Sequence, residues 1–458
     1  MHNAEQIDLD APSGAETGII PTALERVREL QPEMEERYVD FHEHPELGGQ
    51  EVETARKIEQ YLGQCGIEIK ATGIGIEREA GEGKAWSKGT GIIGYIKGQD
   101  GGPTIALRAD MDALPINETD KNPHHSKTPG ISHACGHDLH SASLMGAAKT
   151  LQELAEKKQL PGNVVLLFQP SEEKTFQKES GAVQMVRALE ENGLRDEIKA
   201  VLGLHVYRQL ERGVYNLVDK GVQISSSGEI DILLSAPGGH VKDAYVLPNL
   251  NLIQAEITSR LHKEFEHLGL AQKGVIASTN TEFEPRGYNV LAERSKANWV
   301  VRIASEDYKD ISQEARGKIK KVVDEVVAEF GKDKVNVELK PRPGYRPIVH
   351  REVDVTKLAN DAVQAACPGS ENIREMMSGT GEDFSFYLEE FRDKQIPGAF
   401  IMIGAANSEK GIPKGSHHTE DFRVDEEVLS ELASTHVAFV LKALEHYKKT
   451  AEQSSEKA

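Results

Sequence analysis

Two spacings of apolar residues divide the chain into helices and strands. Leu24, Val27, Leu30, Met34 and Tyr38 recur at helical spacing and predict one helix from Pro21 to Phe41. A second helix follows from Glu51 to Cys65, and a third opens after Asp138, with Leu139, Ser143, Gly146, Ala147, Thr150, Leu151 and Leu154 on one side. Between them lie short, nearly continuous apolar runs bounded by Gly and Pro: Gly91 to Ile96, Thr104 to Arg108, Asn163 to Gln169, Ala200 to Val206 and, much later, Ala399 to Gly404. Such runs read as strands covered on both faces. Near Gly221 the text changes. An alternating strand from Glu229 to Ala236, a helix from Asn251 to Glu266, strands from Gly274 to Phe283 and Asn298 to Ile303, a long helix from Asp307 to Glu329 and a strand from Val335 to Lys340 give the order strand-helix-strand-strand-helix-strand. Pro341-Arg342-Pro343-Gly344 marks the return to the first unit. A helix from Val353 to Ala366 and a terminal helix from Asp425 to Tyr447 close the chain, and the polar tail after Lys448 is expected to fray.

Length and charge narrow the field. At 458 residues the chain exceeds what one hydrophobic core usually organises, so two domains are expected. No apolar run approaches the length that crosses a bilayer, and Met1 to Thr17 is polar and acidic, which points away from a secretory signal and towards a cytoplasmic location. Cys65, Cys135 and Cys367 are too few and too scattered for a disulfide framework. The formal charge of −20 is spread along the chain and disfavours nucleic acid and anionic membrane surfaces as partners.

Candidate chemistry is concentrated in His133-Ala134-Cys135-Gly136-His137-Asp138-Leu139-His140, a thiol, three imidazoles and a carboxylate at a helix entrance. A thiolate and an imidazole two apart suit zinc or a neighbouring first-row metal, and Asp138 is placed either to cap the helix or to orient a ligand imidazole. Further ligands are available elsewhere. Glu172-Glu173 follows one strand, His205 ends another, and His417-His418 stands in a late loop. Asp110 and Asp112 follow a third strand, where sites in α/β sheets usually form, although loop solvation or a helix cap would also account for them. His42 and His44, beside Pro45, are read as support for the fold or the pocket rim, with metal ligation as the alternative.

His42-Glu43-His44-Pro45-Glu46-Leu47, Leu107 to Pro115, His133 to His140, Phe168 to Glu173, Leu204-His205-Val206, Gly381-Glu382-Asp383-Phe384 and the late His-His pair, taken together, resemble the M20 metallopeptidase and amidohydrolase family. The branch they resemble holds the N-acyl-amino-acid, hippurate and auxin-conjugate amidohydrolases, and the resemblance runs from about Glu25 to Leu444. It implies an α/β fold: a mixed-sheet di-metal hydrolase domain (residues 20–222 and 341–450) with an inserted α+β ferredoxin-like lid and dimerisation domain (223–340). It implies two divalent ions, Zn, Mn, Co or Ni, with Cys135 bridging, His137 and His205 completing one site and Glu173 and His418 the other. His418 is preferred to His417 because the family's ligand precedes a Phe by four positions, and Phe422 fits only that choice. Glu172 falls at the family's general base and Asp112 at its supporting carboxylate. His240, in Ala236-Pro237-Gly238-Gly239-His240, falls at the lid histidine that helps stabilise the oxyanion, often across a dimer, and Asn289 and Arg302 fall at positions that meet the substrate. The implied activity is hydrolysis of the amide bond of an N-acyl amino acid or small peptide by a homodimer. Departures lie at Leu139, at Val241 to Ala244, and in the enlarged stretches Glu77 to Lys88 and Leu261 to Pro285.

Within that class a dipeptidase or carboxypeptidase is the alternative. A non-catalytic relative would be expected to have lost Glu172 or a ligand first. A redox role for Cys135 lacks a nearby second cysteine.

Overall fold

The computed structural model describes residues 16–75, 89–173, 180–267, 274–331, 333–375, 380–389 and 395–456. The enlarged stretch from Glu77 to Lys88, and residues 268–273 of the second one, lie outside them.

The continuous apolar runs become the middle of an eight-stranded mixed sheet in the order Glu68–Ile74, Gly91–Ile96, Asn163–Gln169, Thr104–Asp110, Ile198–Glu211, Gly398–Ala406, Val214–Asn216 and Glu371–Ile373. Asn163–Gln169, Thr104–Asp110, Ile198–Glu211 and Gly398–Ala406 are parallel neighbours. Gly91–Ile96 and Glu68–Ile74 are added antiparallel. Every residue of Thr104–Asp110 and Gly398–Ala406 is buried, the reason these strands carry no polar alternation. One face is covered by the helices Glu16–Glu29, Gln31–Glu43, Val52–Gln64, His137–Glu156, Val353–Ala366 and Val428–Glu456, whose Leu24, Met34, Ile58, Leu151, Ala359 and Phe439 share one core. The other face packs Met185 and Leu189 of Gly181–Glu191, and Tyr387 of Ser385–Leu388, onto Val165, Leu167 and Phe400.

Three local expectations change. The helix expected from Pro21 to Phe41 is two, Glu16–Glu29 and Gln31–Glu43, parted at Leu30. Pro32 sits in the first turn of the second, where its missing N–H costs nothing but where it could not continue the first. Gly181–Glu191 had not been expected as a helix; Ser180 caps it by accepting from the Val183 amide at 3.3 Å. The terminal helix continues past Lys448 to Glu456, with residues 448–454 exposed.

The second unit has the expected element order: Ser226–Ser235, Leu250–His267, Gly274–Glu284, Arg294–Ile303, Tyr308–Phe330 and Asn336–Pro343. Its antiparallel sheet runs second, third, first, fourth, the ferredoxin-like arrangement. Trp299, Ile257 and Ile319 pack between sheet and helices. Where the chain enters and leaves this unit it is tied to itself: Gly221–Ile224 pairs with Ile348–His350, and Ser227 N donates to Tyr345 O at 2.8 Å. No helix among the described residues is long and apolar enough to cross a membrane.

Candidate metal centre

The parallel register decides where the polar residues emerge. Asp110 stands opposite Gln169 on the neighbouring strand, so the segments that follow, Met111-Asp112 and Pro170 to Glu173, leave the sheet side by side. His205 lies on the next strand, opposite Met402 of Gly398–Ala406. Gly136, at φ 98°, turns the chain into the His137–Glu156 helix, and a Cβ there would meet Val206 Cγ2 at 2.3 Å. The late loop is fastened to the same place by His418 N donating to Ala134 O at 2.9 Å, and His418 itself adopts φ 58°, a left-handed conformation rare outside glycine.

All five expected ligands converge. Cys135 Sγ lies 3.4 Å from both His205 Nε2 and His418 Nε2. Glu173 Oε1 lies 3.0 Å from His418 Nε2 and 4.0 Å from His137 Nε2. Ligand atoms of Cys135, His137 and His205 fall within 4.8 Å of one another, as do those of Cys135, Glu173 and His418. His137 Nε2 is buried without a hydrogen-bond partner, which is the condition a bound cation would relieve. Burial, and after it the negative charges of Glu173, Glu172 and Asp110, holds the Cys135 thiol well above its ordinary pKa, so a thiolate here requires local positive charge. The donor set, one sulfur, imidazoles and a carboxylate, therefore fits a pair of first-row divalent ions.

His417 is also close, its Nδ1 being 3.8 Å from Cys135 Sγ, but its Nε2 accepts from the Arg208 amide at 3.1 Å. That bond places the proton on Nδ1, which leaves His417 no lone pair for a cation beside Cys135 and leaves His418 as the available ligand.

Carboxylates behind the cage set its geometry. Asp112 accepts from the amides of Glu172 and Glu173 at 3.0 Å each and lies 3.3 Å from His137 Nδ1. Asp110 accepts from His140 Nδ1 at 2.6 Å, and His140 Nε2 accepts from the Val206 amide at 2.9 Å, which fixes the strand next to His205. Glu172 is buried, its carboxylate within 4.8 Å of those of Glu382 and Asp383, and burial together with these charges pushes its pKa well above the usual carboxylate range.

Arg108, Glu382, Asp383 and Tyr345 had no role in the sequence reading. Arg108, 0 % exposed, pairs with Asp110 at 2.6 Å, Glu382 at 2.9 Å and Asp383 at 3.0 Å. An arginine inside a strand that otherwise reads as buried on both faces was the available signal, since such a charge demands counter-charges. Tyr345 donates its hydroxyl to Glu172 O.

Asp138 does something different from orienting a ligand: it accepts from the Leu139 amide at 2.9 Å and pairs with His42 Nδ1 at 2.6 Å. His42 Nε2 meets Glu118 at 2.9 Å. Burial opposes its charge, but the two carboxylates prevail and raise its pKa to about 10. His44 is exposed, beside Asp40.

A cavity of about 360 Å³ opens over Cys135, Glu172, Glu173 and His418, with Ile224, Phe400 and Met402 as apolar wall and Ser227 and Arg302 reaching it from the second unit. Arg302 Nη1 donates to Gly228 O at 3.3 Å. His240 and Asn289 do not line it. Both are exposed on a short ribbon where His240 pairs with Val290 and the Val241 amide donates to Asn289 O at 3.0 Å, flanked by exposed Val241, Tyr245, Val246 and Tyr288.

Comparison with known proteins agrees with this geometry. The model of peptidase family M20/M25/M40 matches residues 106–442. An N-acetylcysteine deacetylase of Bacillus subtilis is 32% identical over 396 residues, 85% of this chain and 91% of that protein. The IAA-amino acid hydrolase ILR1-like 4 of Arabidopsis thaliana is 32% identical over 427 residues, 91% of this chain and 87% of its own length. Among solved structures, the YXEP protein of Bacillus subtilis, described as a dinuclear metal binding peptidase, superposes with a TM-score of 0.67 at 28% identity, covering 91% of this chain and 99% of its own.

Proposed function

Since the chain belongs to peptidase family M20/M25/M40 and is a metal-dependent hydrolase of amide bonds, we propose that its substrates are N-acyl amino acids and that Glu172 is the general base. The convergence of Cys135, His205 and His418 beneath a cavity walled by Glu172 and Arg302 carries the reading. Cys135 would bridge two ions, Zn, Mn, Co or Ni, with His137 and His205 on one and Glu173 and His418 on the other. When bound, such a pair would lower the pKa of a water and polarise the amide carbonyl.

The protein's own groups do the rest. Glu172 takes the proton of the attacking water and returns it to the nitrogen of the leaving amino acid. Asp112, gripping the amides of Glu172 and Glu173 together, keeps base and ligand in fixed relation. Arg302, which lines the cavity, would receive the carboxylate of the amino-acid half, and Ile224, Phe400 and Met402 an apolar acyl group. His240 and Asn289 would act from a second copy, because the exposed apolar ribbon that carries them suits a homodimer contact through the second unit. Three scattered free cysteines suit a reducing compartment, and a cytoplasmic location is part of the reading.

Turnover of N-acetyl, N-benzoyl and indole-3-acetyl amino acids by metal-loaded protein tests it. Release of free amino acid is expected. Cleavage of dipeptides alone, with all N-acyl substrates untouched, would replace this reading with a dipeptidase.

A further inference from the structure

The turn that carries Glu172 and Glu173 is held in an unfavourable backbone state. Ser171 adopts φ 55°, in the left-handed region that disfavours any residue with a Cβ. Three successive backbone amides of this turn, those of Ser171, Glu172 and Glu173, need acceptors, a run of donors that elsewhere cradles anions. Here protein carboxylates supply them. Glu172 N and Glu173 N donate to Asp112 at 3.0 Å each, and Ser171 N donates to Glu51 Oε1 at 2.9 Å.

Glu51 comes from far away in the sequence. It is 0 % exposed and stands at the N-cap of Val52–Gln64, yet its side chain makes no cap hydrogen bond to its own helix. One oxygen goes to Ser171 and the other accepts from Thr90 Oγ1 at 2.6 Å. The loop before it is seated directly on the turn: a Cβ on Gly48 would lie 2.8 Å from Asp112 Oδ2 and 3.2 Å from Ser171 Cα.

We propose that Glu51 is a positioning residue for hydrolysis, which keeps Ser171 left-handed and thereby aims the Glu172 carboxylate over the metal cage. This rests on Glu172 as the base. The carboxylate's reach to water and leaving nitrogen is set by the Cα position of Glu172, and a displacement of about 1 Å can cost about 100-fold in rate.

The test compares E51A, E51Q, S171G and E51A/S171G in metal-loaded enzyme. E51A should lower kcat by about 10- to 100-fold, with KM and metal per chain within about twofold of wild type. E51Q should restore most of it, since its amide oxygen can accept from Ser171 and its nitrogen can donate to Thr90. Glycine needs no outside hold to be left-handed, so the loss caused by E51A should be several-fold smaller in the S171G background than in the Ser171 background. An equal loss in both backgrounds, or an E51Q as impaired as E51A, overturns the proposal. If E51A does not fold, E51D, a methylene too short to reach Ser171, takes its place in the cycle. E172Q measured alongside separates the two readings: an active E172Q removes the base assignment, whereas an inactive E172Q with no relief in the double variant removes only the role of Glu51.

Discussion

Cys135 is the residue whose state depends most on what surrounds it, because burial and then the carboxylates beside it raise its pKa, and nearby cations would offset them. C135S should therefore bind less metal per chain, read by elemental analysis of purified protein, and a variant with unchanged stoichiometry would exclude Cys135 as a bridging ligand. E172Q keeps every proposed ligand; it should retain its metal and lose about 100- to 10,000-fold in kcat. His42 makes a different prediction, about stability. Its pKa rises from 6.5 to about 10 on folding, so its contribution is complete below pH 6.5 and is lost as pH climbs through 10, while the shares of Asp138 and Glu118, whose values are lowered, vanish towards acid. H42Q should cost about 3–5 kcal/mol in denaturant unfolding at neutral pH, and its stability should fall less than that of wild type between neutral and alkaline pH.

Among the elements, strands were more legible than helix limits. Thr104–Asp110, Asn163–Gln169 and Gly398–Ala406 announce themselves because a strand covered on both faces must be apolar throughout. Of the proposed ligands, Glu173 stood out because a Glu just beyond an apolar run such as Asn163–Gln169 is conspicuous, and His205 because it interrupts the apolar run within Ile198–Glu211. What sequence could not supply was pairing across the fold. Nothing in Leu107-Arg108-Ala109 says that Arg108 will meet Glu382 and Asp383 some 270 positions later, and nothing near Asp138 says that its partner is His42. The Glu16–Glu29 and Gln31–Glu43 helices were merged because their apolar spacing stays in phase across Leu30, although Pro32 held the contrary signal. In Val428–Glu456, residues 448–454 are exposed, so they bury little apolar surface. Deleting residues 448–458 should shift unfolding free energy by less than about 1 kcal/mol, measurable by denaturant titration.

At the scale of the whole molecule, the cavity over Cys135 takes walls from both sheets, with Arg302 contributed by the smaller. Exhaustive chelation should abolish turnover and lower the melting temperature, and added Zn, Mn, Co or Ni should restore both, because whatever binds only the folded state stabilises it. A chelator-insensitive enzyme would contradict the metal reading outright. The proposed ligands also lie on either side of the ferredoxin-like unit, four from His205 backwards and His418 far beyond it. A ribosome must therefore read through that entire unit and past His418 before the last ligand exists. On the proposed ligand set, a nascent or prematurely terminated chain cannot assemble the complete cage. Hydrolytic competence is thus withheld until synthesis has carried the chain beyond the point at which both sheets are in hand.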